Sequence, residues 1–162
     1  MKRDSAHKRN WVIGEVMFGV PFLLGILLHF LVPVPFPRGF LDLVLPVVGI
    51  GLIAVGLVVI IATRREFARY KQPTDPGQPT TKLIQTGVFA FSRNPLYLGA
   101  LCVFLGMALV LKMLWGLAAV LVSLALCLWV LILPEERYLA AKFGEEYRVY
   151  AATVRRWLGR KK

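Results

Sequence analysis

Apolar positions along the chain gather into four long runs, at about residues 11–32, 41–63, 96–111 and 114–133, each nearly free of charge. Crossing the hydrocarbon of a bilayer takes about 20 residues of helix. Three of the runs meet that length. The third covers roughly 24 Å at about 1.5 Å per residue, and it spans if its start lies among the headgroups or the bilayer thins there. Strands are a poor alternative, because an open sheet edge finds no hydrogen-bond partners in lipid. The pattern predicts an all-α integral membrane protein of four transmembrane helices.

Between the runs the pattern changes. Pro33, Pro35 and Pro37 make a stiff turn after the first run, since proline fixes φ and cannot continue a helix. Lys112 and Met113 form the tip of a tight hairpin between the last two runs. Residues 64–95 start as a helical extension over 64–70 and continue through a Pro-, Thr- and Gly-rich loop at 72–81. A long irregular segment in so economical a chain is more often functional or disordered than idle. After Pro134, the residues Leu139, Phe143, Tyr147, Tyr150, Val154 and Trp157 recur at helical spacing, with Lys142, Arg148, Arg155 and Arg156 on other faces. That predicts a C-terminal amphipathic helix, kinked near Gly144, which either lies on the membrane surface or covers a site.

Composition agrees with a membrane protein: 57% of the 162 residues are hydrophobic, more than a domain this small can hide from water. Charge then orients the chain. Of 20 Lys and Arg, only Arg38 and Lys112 fall in the two short outer loops. The rest sit in 1–10, 64–95 and 134–162, and the positive-inside rule makes that face cytoplasmic. Both termini are therefore expected in the cytoplasm, with the basic N-terminus leading into an uncleaved first anchor. The formal charge of +11 is a topology signal, with attraction to anionic lipid as its second consequence. A nucleic-acid partner is not expected, since no soluble domain gathers the basic residues. The single domain covers 1–162, with chemistry confined to 64–95 and 134–158. Cys102 and Cys127 lie within runs three and four and read as packing residues, with no metal-ligand spacing.

Two segments carry candidate chemistry. In Ser92-Arg93-Asn94-Pro95-Leu96-Tyr97-Leu98-Gly99, Asn94 is a favoured N-cap and Pro95 suits the first helical position. The third run is expected to start there, its first N–H groups and Arg93 making a site for a carboxylate or phosphate. Gly99 permits close approach of a backbone or a flat ligand. In Leu133-Pro134-Glu135-Glu136-Arg137, two adjacent acids stand on a basic face, either as first-turn residues of the next helix or as holders of a cationic or hydroxyl-bearing ligand. Because runs three and four form a hairpin, both segments return to the same face.

Together these stretches resemble a known signature. Leu83-Ile84-Gln85-Thr86-Gly87-Val88-Phe89, Arg93-Asn94-Pro95-Leu96-Tyr97-Leu98-Gly99, Glu135-Glu136 and Phe143-Gly144-Glu145-Glu146-Tyr147 with Tyr150 are similar to blocks of the isoprenylcysteine carboxyl methyltransferases and the related membrane phospholipid methyltransferases. The resemblance covers residues 80–158. It implies S-adenosylmethionine as methyl donor, bound by Lys82, Leu83, Ile84, Gly87, Phe89, Arg93, Asn94, Pro95, Leu96, Tyr97 and Gly99, with Glu135 closing over it. Three positions depart from the signature: Asn94 replaces a His, Phe89 replaces a Tyr, and Leu131 stands where the isoprenylcysteine enzymes carry an Arg linked to their substrate carboxylate.

The expected activity is methyl transfer by direct displacement onto a lipophilic acceptor, a carboxylate or an amine, at the cytoplasmic membrane interface. A carboxylate needs no base, while an amine must arrive neutral, with Glu136 or Tyr147 assisting. The competing readings are an NADPH-dependent membrane reductase of the sterol type and a non-catalytic lipid-binding membrane protein.

Overall fold

The computed structural model of the chain describes residues 14–36, 39–72 and 81–161, without the side chains of residues 14 and 15. The basic segment 1–10, Arg38 and most of the Pro- and Thr-rich loop lie outside the described residues. Within them the chain forms five helices: α1 (Gly14–Leu31), α2 (Phe40–Arg69), α3 (Pro95–Val110), α4 (Leu114–Phe143) and α5 (Glu145–Thr153). A short 3₁₀ turn, Gly87–Ala90, precedes α3. No strand occurs among the described residues; Val154 and Arg160 form one isolated antiparallel bridge.

Helices α2 and α4 are each 30 residues, roughly 45 Å at about 1.5 Å per residue, and both are long and apolar enough to cross a membrane. Helices α1 and α3 are equally apolar but shorter, at 18 and 16 residues. The outer surface is itself apolar. Leu43, Val47, Ile50 and Val58 of α2, Leu23 and Phe30 of α1, and Leu121 and Trp129 of α4 are all exposed. Water would not tolerate a continuous patch of this kind, whereas lipid requires one.

Helices α2 and α3 run antiparallel and meet through glycines. A Cβ on Gly56 would stand 2.6 Å from the Gly99 carbonyl oxygen, and one on Gly49 would stand 2.7 Å from that of Gly106. The backbones therefore touch at two places one heptad apart, the close approach that small residues allow between apolar helices. The residue one heptad further along α2, Thr63, is fully buried and satisfies its hydroxyl on the Val59 carbonyl, 2.7 Å away. Helix α1 lies on α4 at Gly25, against Trp115 and Ala119. A core of Met17, Phe18, Tyr97, Cys127, Leu131 and Ile132 joins α1, α3 and α4 near the end where the polar segments gather. At the opposite end Lys112, at the hairpin tip, is ion-paired with Asp42.

Two expectations are corrected. A separate helix is expected after Pro134; instead that stretch, with both acids in its first turn, is continuous with α4 to Phe143. Proline lacks an N–H and clashes with the carbonyl four residues back. The helix takes it in by widening over Cys127–Ile132, where the Leu133 N–H reaches the Leu128 carbonyl, an i→i+5 bond. The amphipathic helix expected to reach Trp157 stops at Thr153. Gly144, at φ +55° and ψ −121°, breaks it from α4 with a backbone shape suited to glycine. Residues 154–161 then turn back, with Arg155 N–H bonded to the Gly159 carbonyl at 2.9 Å.

Candidate active site

The foot of α2, the loop before α3, the start of α3, the end of α4 and helix α5 surround one cleft. The space between them, counting the open mouth, is about 590 Å³. Phe67 and Gln72 of the α2 end, Lys82, Leu83, Ile84 and Phe89 of the loop, Arg93 and Asn94, Glu135, Glu136 and Leu139 of α4, and Tyr147 and Tyr150 line it. Asn94 and Glu135, from the two motif segments, thus face one space.

The loop is held from several sides. Gly87, at φ +58°, lies over the Glu66 carboxylate, and Thr86 donates to the same carboxylate at 2.8 Å. The ring of Phe89 packs edge-on to Phe67, centroids 5.4 Å apart. The Tyr150 hydroxyl donates to the Phe89 carbonyl at 2.8 Å. Asn94 stands at the N-cap position of α3, but its side chain makes no capping bond. Nδ2 instead donates to the Arg156 carbonyl at 3.1 Å, because the turn after α5 crosses at that point. Ser92 Oγ accepts the Asn94 N–H at 3.1 Å.

The charged groups form two linked sets. Glu136 accepts from Arg156 Nε at 3.0 Å and Arg156 Nη2 at 2.8 Å, a bidentate fork, and pairs with Arg93 Nη2 at 3.2 Å. Arg93 Nη1 also donates to the Tyr147 hydroxyl at 3.3 Å. Its Nε is buried with no hydrogen-bond partner among the described residues, and such an orphaned donor calls for explanation. Beside this set, the Tyr97 hydroxyl donates to Glu135 at 3.4 Å.

Glu135 lies beyond the apolar part of α4. Burial pushes its carboxyl up to about 7; the Tyr97 bond opposes the shift and the neighbouring Glu136 charge adds to it. Burial likewise raises Tyr147 to about 12, with Glu136 adding and Arg93 opposing. The two acids are therefore unlike: Glu136 has both oxygens engaged by guanidinium groups, whereas Glu135 has a single hydroxyl partner among the bonds described and titrates near neutrality.

Of the residues expected at the site, Lys82, Leu83, Ile84, Phe89, Arg93, Asn94, Glu135, Glu136 and Tyr147 line the cleft. Gly87, Pro95, Leu96, Tyr97 and Gly99 are not among its lining. Gly99 serves the α2–α3 contact, so the flat partner its spacing allows is the backbone of Gly56. Pro95 is buried at the start of α3, and Tyr97 sends its ring into the core and reaches the cleft's edge through Glu135. Sequence reasoning missed Phe67, Gln72 and Arg156. Phe67 and Gln72 carry no motif, and Arg156 looked like one more basic residue on a polar helix face.

Comparison with known proteins bears on this arrangement. The family model of phospholipid methyltransferases matches residues 44–146, which takes in α3, the loop before it and both acids. The chain belongs to the phospholipid methyltransferase family. It is accordingly a methyltransferase of membranes, with a lipid-type acceptor. No curated protein and no solved structure matches the chain. The family match ends one residue before Tyr147, so α5 beyond Glu146 and the turn after it are known from this structure's own geometry.

Proposed function

We propose that the chain transfers a methyl group from S-adenosylmethionine to the amine of a membrane lipid, at the cytoplasmic foot of a four-span bundle. The convergence of Arg93, Asn94, Glu135, Glu136 and Tyr147 on one cleft carries this reading. The residues present suit the cofactor's chemistry. A carboxylate on the cofactor matches Arg93, whose buried Nε has no acceptor among the described residues, and Lys82 at the rim. Its ammonium and ribose hydroxyls match the Glu135 carboxylate, and its flat base matches the apolar walls of Phe67, Leu83, Ile84 and Phe89. When bound, the cofactor supplies a methyl group activated on a sulfonium.

What the chain itself must do is orient and dry the reacting groups, since a direct displacement needs mainly alignment and exclusion of water. Helix α5 covers the cleft, with Tyr147 and Tyr150 buried beneath it. Glu136 and Tyr147, tied together through Arg93, are the groups we assign to orient an acceptor amine, which reacts in its neutral form. An amine is favoured over a prenylcysteine carboxylate by Leu131. This residue stands where the isoprenylcysteine enzymes carry their Arg, and it is fully buried against apolar side chains, with 0% exposure.

Two features support four spans. The exposed surfaces of α1, α2 and α4 are apolar, and the end bearing the cleft holds Arg64, Arg65, Arg69, Lys71, Arg93, Arg137 and Lys142, against Lys112 at the other. Calorimetry on the purified protein in detergent is expected to detect S-adenosylhomocysteine, and labelled methyl groups should enter amine lipids in a bilayer extract. Absence of binding at millimolar ligand, or stabilisation by NADPH in its place, defeats the proposal.

A further inference from the structure

The turn after α5 lies outside the residues matched to the family, yet it touches both Arg93 and Glu136 of the charged set. Its main chain receives the Arg93 N–H on the Arg155 carbonyl at 3.1 Å, and its Gly159 N–H reaches back to the Phe91 carbonyl at 2.7 Å. The Arg156 carbonyl accepts from Asn94 Nδ2, and the Trp157 ring packs on the core that holds Met17, Phe18 and Tyr97. Three consecutive bonds thus fix the entry to α3 from one direction. The Arg156 side chain does a different job. It does not line the cleft, and it reaches a group that does, forking both oxygens of Glu136.

Glu136 is thereby shared between two guanidinium groups, of which Arg93 is the more buried, at 11% side-chain exposure against 34% for Arg156. Without the fork, Arg93 is the one cation left paired with Glu136 among the described residues. A bidentate grip on Arg93 is the geometry that guanidinium and carboxylate prefer, and it pulls Arg93 away from Tyr147 and from the open space. We infer that Arg156 is a positioning residue: by occupying Glu136 it keeps Arg93 turned towards Tyr147 and available to an anionic group in the cleft. The anionic group is a carboxylate or phosphate, of the cofactor or of the lipid headgroup. This assignment rests on the methyltransferase reading for its functional consequence, and on the geometry alone for its structural one.

The test uses the full chain in detergent micelles and compares wild type with R156A, R156K and W157A. Hydrogen exchange of the ligand-free protein should show faster exchange across 91–94 in W157A, which loosens the turn, and little change there in R156A, which leaves the backbone bonds in place. R156A should nonetheless bind S-adenosylhomocysteine at least about tenfold more weakly, or show a KM raised by that factor for the lipid amine, as expected for loss of a charge-assisted fork. Which ligand suffers tells whether cofactor or headgroup supplies the anion. R156K, a point charge without the fork, should recover only part of the loss, and guanidinium ion at millimolar concentration should restore R156A but not W157A. R156A that binds and turns over like wild type overturns the proposal, as does failure of guanidinium to restore any of the loss. If wild type binds no S-adenosylhomocysteine, the methyltransferase reading fails; the exchange comparison still decides whether the turn holds 91–94.

Discussion

At the scale of single residues, the two adjacent acids show how position divides identical chemistry. Glu135 and Glu136 are consecutive on α4, yet one is held by two arginines and the other by one tyrosine. For Glu135 the raised pKa gives two effects of opposite sign. In the empty protein, a carboxyl at about 7 that is near 4.5 when unfolded favours the fold below 4.5, and that contribution is lost as pH rises through 7. A cationic ligand needs the carboxylate, so its binding should strengthen over the same interval. Thermal melts of the empty protein should therefore fall between pH 5 and 8, by at most about 3 kcal/mol of stability, while affinity for S-adenosylhomocysteine rises. E135Q should flatten both profiles and weaken binding by roughly 1.5–3 kcal/mol, whereas Glu145→Ala, on an exposed carboxylate paired with Arg148, should leave both unchanged. Parallel rather than opposed pH trends would show that another group governs the site. The motif blocks made Glu135 and Arg93 visible in the sequence. Arg156 was not visible, because its role depends on the chain reversing after Thr153, which helical spacing alone does not foretell.

At the scale of elements, the helices were legible wherever hydrophobic runs decide them and illegible where one residue overrides a run. The α2 and α3 limits follow from apolar length, the Pro95 start and the basic end of α2. The continuation of α4 through Pro134 was hidden, since proline usually ends a helix and the widened turn at Cys127–Ile132 is a response of the backbone rather than a pattern of side chains. The α2–α3 contact was half legible: Gly99 invited a close neighbour, and only the structure identifies it as Gly56. That contact carries a prediction. A leucine at Gly56 places its Cβ 2.6 Å from a carbonyl oxygen of α3, which neither rigid backbone can avoid. The helices must separate, at a cost of about 1–3 kcal/mol, and Phe67 at the foot of α2 moves with them. G56L should lower the melting temperature and also weaken cofactor binding, although residue 56 lies far along the helix from the cleft. Gly51, with open space around it, is the control: G51L on the same helix should do neither. Equal effects of the two changes would mean that glycine content, and not the contact, matters.

At the scale of the whole molecule, the cleft and the bilayer impose one geometry. Helix α2 leaves the Asp42–Lys112 end and arrives at the cleft; α3 departs from the cleft and returns to Lys112. The ion pair and the cleft are therefore at opposite ends of the bundle, separated by the apolar lengths of both helices. If those helices span, the two ends meet different aqueous compartments, and the proposed orientation puts the basic, cleft-bearing end in the cytoplasm. Cysteine labelling distinguishes this from a protein lying along one surface. In a background with Cys102 and Cys127 replaced by alanine, K112C should react with a membrane-impermeant maleimide applied to intact cells. R69C, at an exposed position on the α2 foot, and R148C on α5 should react only after the membrane is opened. Reaction of K112C and R69C from the same side would place both ends of α2 in one compartment. The apolar face of α2 would then need another partner than lipid, and a membrane-soluble acceptor would have no direct route to the cleft.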